Sequence, residues 1–169
     1  MEWLPPKLQS LQLRWFILTA AKCPTHLSQM RRLSLERCAS SNLQHFQNVL
    51  EGLPSLSSLD LEDILDLSER HIMHIRPLTQ LTSLSVVAIG NHHITNSMLG
   101  LLTTLTGLRR LKWHAGDMLD SILDPAFLKA FPNLFVLSLT TSMFYRMTRW
   151  SALNVMDFLP YCQLETIGP

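Results

Sequence analysis

The stretch from Leu53 to Asp63, "LPSLSSLDLED", alternates leucines with serines and carboxylates. In one amphipathic helix, Leu56 and Leu59 would share a face, but Leu61 would lie off it. In a β-strand, Leu59 and Leu61 share one face, and the polar residues beside them share the other. The stretch alone is compatible with both structures, so the choice depends on whether its pattern recurs.

The pattern x-Leu-x-x-Leu-x-Leu recurs along the chain at a nearly constant spacing. It begins at "LQSLQL" (8–13) and returns in six further segments, the last of which is truncated. The central residues are Leu11, Leu33, Leu59, Leu84, Leu111, Leu137 and Ile167. Their separations are 22, 26, 25, 27, 26 and 30 residues. Such repetition indicates that each copy is a short strand in a stack of similar units.

The segments between these strands have the spacing of amphipathic helices. "NSMLGLLTTL" (96–105) places Met98, Leu101, Leu102 and Leu105 on one predicted helix face. Proline after several such segments, as in "GLPSL", ends the helix before the next strand. Further predicted helices are "NLQHFQNVL" (42–50), "LSERHIMHI" (67–75) with Ser68 ahead of Glu69, "DPAFLKAF" (124–131) with Asp124 as N-cap, and a helix capped by Ser151 that carries Leu153 and Met156.

These repeats resemble the leucine-rich repeat superfamily, whose consensus is L-x-x-L-x-L-x-x-N/C-x-L, over essentially the whole chain. "MRRLSLERC" carries Cys38 at the N/C position, where other repeats have Ile64, Ile89, Gly116 and Ser142. Repeats of about 26 residues with Cys or apolar substitutes are more similar to those of intracellular F-box proteins and immune receptors. The resemblance implies an α/β fold: a curved solenoid, or horseshoe, with parallel strands on the concave face and helices on the convex face.

We expect residues 1–169 to form a single leucine-rich repeat domain of about six to seven repeats. The first spacing predicts a shortened unit, and the last predicts an insertion around "MFYRMTRW" (143–150). Neither end shows a clearly polar capping segment, which favours a piece of a larger array. The alternative is that Trp3, Pro5 and Pro6 cover the first edge.

Composition excludes several classes of protein. With 47% hydrophobic and 16% charged residues, the chain is not a disordered polyelectrolyte. A net charge of +1 provides no general attraction to nucleic acid or to acidic membranes. The apolar runs are shorter than the roughly 20 residues of a membrane span. Three cysteines without a paired spacing, and no Asn-x-Ser/Thr sequon, favour a cytoplasmic location.

Motifs for metal binding or catalysis are weak. His71 and His74 lie three residues apart, and His92 and His93 follow in the next unit, but no cysteine or carboxylate completes a recognised ligand spacing. We therefore expect these to be ordinary surface histidines. An enzyme that uses His71, His74 or Asp117 is the competing hypothesis, but there is no glycine-rich phosphate loop and no nucleophile motif. We expect no catalytic residue, no cofactor and no metal.

Aromatic residues at the rims are candidates for interface anchors, because Trp and Tyr are frequent in binding hot spots. Trp15, Tyr145 and Trp150 belong to this group. Trp113 stands at a repeat leucine position, so we expect it to be buried instead.

The residues between the repeat leucines point to the concave face and predict its charge. They are acidic in the second and third units and basic in the fifth, which favours binding of a protein partner. The chain is thus predicted to be a non-catalytic protein–protein recognition module. The resemblance implies the substrate-binding part of an F-box-type ubiquitin ligase adaptor, or alternatively a regulatory repeat region of an intracellular immune receptor. The predicted partner-binding residues are Arg14, Glu36, Asp60, Glu62, Arg110, Lys112 and His114.

Overall fold

The repeat units form a stack of parallel strands. The structure, a computed structural model, describes residues 4–19, 25–40, 42–65, 67–88, 96–115 and 129–141. Six strands in these ranges form one parallel sheet in the order β1-β3-β5-β6-β7-β8, and β2 pairs with β4 beside it. In chain order the strands are β1 (Ser10–Arg14), β2 (Ile17–Leu18), β3 (Arg32–Glu36), β4 (Ala39–Ser40), β5 (Ser58–Glu62), β6 (Ser83–Val87), β7 (Arg110–Ala115) and β8 (Val136–Thr141).

The register of the sheet aligns the repeat leucines across neighbouring strands. Leu59 lies between Leu33 and Leu84, and Leu61 lies between Leu35 and Val86. All six are buried, so the stretch "LPSLSSLDLED" contains a strand with its leucines inside. The six predicted central residues within the described ranges occupy matching positions in one row, namely Leu11, Leu33, Leu59, Leu84, Leu111 and Leu137. The predicted solenoid of parallel strands is therefore confirmed.

A second set of contacts joins the units just before each strand, where one carbonyl accepts two N–H groups from the next unit. The Arg31 carbonyl accepts from the N–H groups of Ser57 and Ser58, each at 2.9 Å. The carbonyl of Ser57 accepts in turn from Thr82 at 2.8 Å and Ser83 at 3.1 Å. The same arrangement begins at Gln9 and continues through Thr82 and Arg109. These paired bonds align the first residues of neighbouring strands in the main sheet.

Helices pack side by side along the row of units. Helix α1 (Leu43–Glu51) begins at Asn42, whose side-chain oxygen accepts from the His45 N–H at 2.9 Å. Its buried residues are Phe46, Val49 and Leu50, which share one face of the helix. Helix α2 (Glu69–Ile75) follows Ser68, packs against α1 on one side, and contacts a 3₁₀ helix (Asn96–Leu102) on the other. Both α-helices confirm their sequence predictions.

The segment "NSMLGLLTTL" differs from its prediction because it forms the 3₁₀ helix Asn96–Leu102 rather than an α-helix. A 3₁₀ helix has three residues per turn, so side chains three apart lie in line. Leu99, Leu102 and Leu105 have this spacing and are fully buried, whereas Leu101 is only partly buried. The shortened first unit also has a 3₁₀ helix, Thr25–Leu27. The predicted helices at 124–131 and 151–156 and the seventh strand near Ile167 fall largely or wholly outside the described residues.

Cys38 fills the turn after β3, as its place in the repeat predicts. Its side chain is completely buried, and its sulfur lies 3.4 Å from the carbonyl oxygen of Leu13 and 3.5 Å from that of Glu36. Ile64 occupies the equivalent position one unit later and is also buried. Apolar packing under the turn thus fills these two positions, where the consensus has Asn or Cys.

Two substitutions at the centre of the sheet test the assignment of its two faces. We expect Leu59→Ala to lower the free energy of unfolding by roughly 2–5 kcal/mol, because it leaves a cavity among packed leucines. Asp60→Lys or Glu62→Lys should change it by only about 0.5 kcal/mol, as is usual for side chains without packing roles. Denaturant unfolding of the three variants measures both effects. Equal destabilisation by the alanine and lysine variants would contradict the assignment.

Candidate protein-binding face

Alternate residues of the six strands point away from the leucines and form the concave face. The register arranges them in three rows that cross the sheet. The start row is Ser10, Arg32, Ser58, Ser83, Arg110 and Val136; the middle row is Gln12, Ser34, Asp60, Ser85, Lys112 and Ser138; the end row is Arg14, Glu36, Glu62, Val87 and His114. Parallel strands lie about 4.8 Å apart, so each row is a line of side chains at that spacing.

The register places the seven predicted partner-binding residues on this one face. Arg14, Arg110 and Lys112 are exposed, and the other four are partly exposed. The central acidic pair, Asp60 and Glu62, lies on β5, while Arg110 and Lys112 lie two strands away on β7. This acidic pair and the basic residues of β7 are therefore separated by about 10 Å.

The charges on this face differ in whether they already have partners. Arg14 forms an ion pair with Glu36 on the adjacent strand, and the Arg14 side chain remains 60% exposed. An exposed pair of this kind contributes at most about 1 kcal/mol to stability. Within the described ranges, Asp60, Glu62 and Lys112 form no ion pair and no side-chain hydrogen bond. These three charges remain available to a binding partner.

The strand between the acidic and basic groups carries small and apolar side chains. Ser83 and Ser85 of β6 are partly exposed, but Val87 is only 8% exposed. Its register position belongs to the end row, yet its side chain is largely covered. The end row is thus interrupted between Glu62 and His114.

On this face, the structure lowers the pKa of His114. Burial in the sheet lowers the pKa of His114 below its usual value of 6.5, and the positive charge of Lys112 two residues earlier lowers it further. His114 is therefore mainly neutral at pH 7, so the fixed positive charges on the exposed side of β7 are those of Arg110 and Lys112.

A short ladder of side chains follows the ends of the first strands. Trp15, Arg37 and Asp63 each have a positive φ, near 50°, and come directly after β1, β3 and β5. The Arg37 guanidinium lies 4.9 Å from the Trp15 ring centroid, and its Nε lies 3.4 Å from the Asp63 carboxylate. Trp15 is 72% exposed, as expected for a rim aromatic. The other rim candidates, Tyr145 and Trp150, fall outside the described residues.

The prediction of surface histidines is wrong for His71, which is only 7% exposed. Its Nδ1 accepts a hydrogen bond from the Ser68 N–H at 3.3 Å and lies 2.9 Å from the Ser68 hydroxyl. Its ring meets Phe46 edge to face, with centroids 5.1 Å apart. His71 thus takes the place of the Glu or Gln of a capping box, and the Ser-x-x-His spacing was its sequence signal.

Two other expectations concern metals and membranes. Within the described parts of the chain, no three His, Cys, Asp or Glu residues lie close enough together to hold a metal ion. His92, His93 and Asp117 fall outside these parts. No helix in the same parts has the length and apolar character that a bilayer span requires.

Trp113 is completely buried, which confirms its predicted core position.

The face also carries a polar groove at the start row, and Arg110 is the one residue of its lining among the seven predicted partner-binding residues. It is lined by Arg32, Arg109 and Arg110 together with hydroxyl residues. Its sequence signal is the polar pair between the first two leucines of each motif, as in "LSSL", "LTSL" and "LRRL". Only the second residue of each pair lies in a strand, so the strand pattern alone does not place the first residue on this face.

Comparison with known proteins finds similar solved structures but no similar sequence family. No protein-family model and no curated protein sequence matches the chain. Similar solved structures include an internalin (inlF) from Listeria monocytogenes str. 4b F2365, with 14% identity over 81% of this chain and 43% of that one, and a TM-score of 0.46. Internalin C2 (inlC2) from the same strain has 18% identity over 83% of this chain and 76% of that one, and a TM-score of 0.39.

The chain thus spans less than half the length of the first of these internalins. At these identities and TM-scores, the two internalins provide no argument about what this chain binds.

Replacing Lys112 separates the two causes of the lowered His114 pKa. We expect Lys112→Met to raise the pKa of His114 only part of the way towards 6.5, because burial is the larger cause. NMR titration of the imidazole measures this change, with Arg76→Met as a charge-matched control away from the face. A complete return to 6.5 would contradict burial as the larger cause.

The same shift makes stability depend on pH. A histidine with a lowered folded pKa binds protons more readily in the unfolded chain, so folding opposes its protonation. His114 should therefore reduce the free energy of unfolding progressively as pH falls below 6.5 and have no such effect above it. Denaturant unfolding at several pH values should show a smaller decrease in His114→Gln than in the wild type. An identical decrease in both proteins would contradict the prediction.

Proposed function

Because the chain has the leucine-rich repeat fold, we propose that it is a non-catalytic protein-recognition module that binds a protein partner on its concave face. The observation that supports this is the set of charges without partners among the described residues. Asp60 and Glu62 on β5 and Lys112 on β7 project from a rigid sheet and take no part in the leucine packing. Opposite charges at a fixed separation favour one orientation of a complementary partner.

The sheet holds this surface in place before a partner arrives. Each strand is fixed to its neighbours by the ladder of backbone hydrogen bonds and by the buried leucine rows. Binding to such a surface orders few additional groups, so less conformational entropy is lost on association. A suitable partner carries positive charge opposite β5 and negative charge opposite β7, about 10 Å apart.

The more specific role that we propose is the substrate-binding part of an F-box-type ubiquitin ligase adaptor in the cytoplasm. Repeats of about 26 residues and Cys38 at the N/C position of its repeat support it. Cys38 is a buried, unpaired thiol, as is common in reducing compartments. The alternative is a regulatory repeat region of an intracellular immune receptor, which has the same kind of repeat.

Charge reversal on opposite sides of the solenoid tests binding at the concave face. The variant Asp60→Lys/Glu62→Lys changes the concave face, and Glu51→Lys/Glu69→Lys makes the same change in net charge on the helices. Proteins captured by the wild type are identified by mass spectrometry, and the affinity of a purified partner is then measured. We expect the concave variant to bind roughly tenfold more weakly or worse, since like charges at an interface cost several kcal/mol.

The helix-side variant should keep the wild-type affinity. Weakening by the helix-side variant alone would place the interface on the convex face and contradict the proposal. Thermal unfolding of both variants controls for damage to the fold.

The adaptor role has a test of its own. Capture from cells under non-denaturing conditions should recover cullin and the subunit that binds F-box segments. Recovery of other partners without these components contradicts the adaptor role. A nucleotide-binding domain with a phosphate-binding loop, encoded upstream in the same gene, would favour the immune-receptor alternative.

A further inference from the structure

The start row lines an open groove of about 390 Å³ where strands β3, β5, β6 and β7 begin. Three arginines, three serines, a threonine and Phe135 line it, and no carboxylate is among these residues. Phe135 is 42% exposed and places an apolar ring beside Arg110. Its composition differs from that of the middle and end rows, which carry Asp60 and Glu62.

The order of residues across the strands gives the groove two basic ends and a small-residue floor. Arg32, Ser58, Ser83 and Arg110 are consecutive neighbours in the register. Three strand steps of about 4.8 Å place the Cα atoms of the two arginines roughly 14 Å apart. Serine side chains are short, so the space between the arginines is open. Arg109 adds a second guanidinium beside Arg110.

No counter-charge from the described residues lies beside the three arginines. In the described part of the chain, Arg32, Arg109 and Arg110 form no ion pair and no side-chain hydrogen bond. Arg14 and Arg37, by contrast, are each paired with a carboxylate. The guanidinium of Arg110 instead lies 5.7 Å from the Phe135 ring centroid. This contact orients the charge without neutralising it.

The hydroxyl groups of the floor differ in their capacity to donate. The Ser57 hydroxyl donates to the Arg31 carbonyl at 3.2 Å, and the Thr82 hydroxyl donates to the Ser57 carbonyl at 3.1 Å. A hydroxyl has one proton, so neither can donate to a ligand as well. Ser58 and Ser83 make no side-chain hydrogen bond within the described residues, so their protons are available. Arginine has no acceptor, so the groove mainly offers donors to a ligand.

We propose that this groove binds an extended acidic segment of a protein partner, with acidic side chains at positions i and i+4. An extended chain advances about 3.4 Å per residue, so four residues span roughly 14 Å, the distance between the Cα atoms of Arg32 and Arg110. The acidic groups, carboxylates or phosphates, lie on the terminal arginines, and the backbone crosses Ser58 and Ser83. Guanidinium groups bind both anions through paired hydrogen bonds.

Charge favours a protein segment over a nucleic acid. The net charge of the chain is +1, and Asp60 lies on the same strand face as Ser58, two residues further along. A continuous polyanion would meet this carboxylate, whereas a peptide with two separated charges does not. The inference depends on the proposed role of the concave face in protein recognition and adds the chemistry of the bound segment.

A synthetic peptide tests the groove directly. The probe is a labelled nine-residue peptide with Glu at positions three and seven in a Ser/Ala/Gly sequence, followed by fluorescence anisotropy. Two comparison peptides carry Gln or phosphoserine at those positions. We expect the Gln peptide to bind at least about tenfold more weakly than the better acidic peptide, since hydrogen bonds between charged groups are the stronger ones. The two acidic peptides show whether carboxylate or phosphate is preferred.

Arginine variants provide a matched control within the chain. Arg32→Gln and Arg110→Gln should each weaken binding of the acidic peptide about tenfold. Arg31→Gln removes the same charge next to Arg32, but Arg31 does not line the groove, so its effect should stay within roughly twofold. Equal weakening by Arg31→Gln and Arg32→Gln would overturn the proposal, because it would show general charge attraction.

A second pair of variants tests the floor independently of the arginines. Ser83→Asp places a carboxylate between the arginines and should abolish binding, whereas the neutral and equally large Ser83→Asn should keep most of it. Equal binding of the Glu, phosphoserine and Gln peptides, or tighter binding of a single-stranded oligonucleotide, would refute the assignment. If the peptides fail while Asp60→Lys/Glu62→Lys still weakens partner binding, only the groove assignment fails.

Discussion

The alignment of leucines across parallel strands is the constraint on which the rest of the structure depends. A strand with Leu59 and Leu61 on one face has no core of its own and is stable only between equivalent strands. Register is therefore strongly specified, because a shift by one residue would bury Asp60 and expose both leucines. The carbonyls of Arg31 and Ser57, which each accept two N–H groups from the next unit, hold the same register through the backbone.

This register also determines the concave face. Once the leucines are aligned, the residues between them must form rows at the strand spacing, whatever their chemistry. The acidic pair on β5, Lys112 on β7 and the arginines of the start row thus have fixed separations without any contact among themselves. A partner that matches these separations encounters a surface that is already ordered, so its specificity comes from the placement of charge rather than from new folding.

The connecting segments vary more than the strands because they are less constrained. An α-helix is about 10 Å wide, twice the spacing of parallel strands, so helices must spread on the outer side of the stack. The narrower 3₁₀ helix Asn96–Leu102 is an alternative solution to the same packing problem. At the start of α2, His71 takes the role usual for a carboxylate or amide and is buried against Phe46. The helix type and the burial of His71 both depend on packing against neighbouring units.

The sequence by itself determined the six strands of the main sheet, their order and the residues that alternate with the leucines, because a period of two within a period of about 26 admits one consistent register. The pairing of β2 with β4 and the covering of Val87 had no such signal. It also placed Cys38 and Trp113 inside. Tertiary structure decided which polar residues already have partners and which do not. Arg14 meets Glu36, and Arg32 meets no carboxylate among the described residues. The neighbours of both arginines are more than 20 residues away in the chain, and only stacking of the units brings those neighbours into contact.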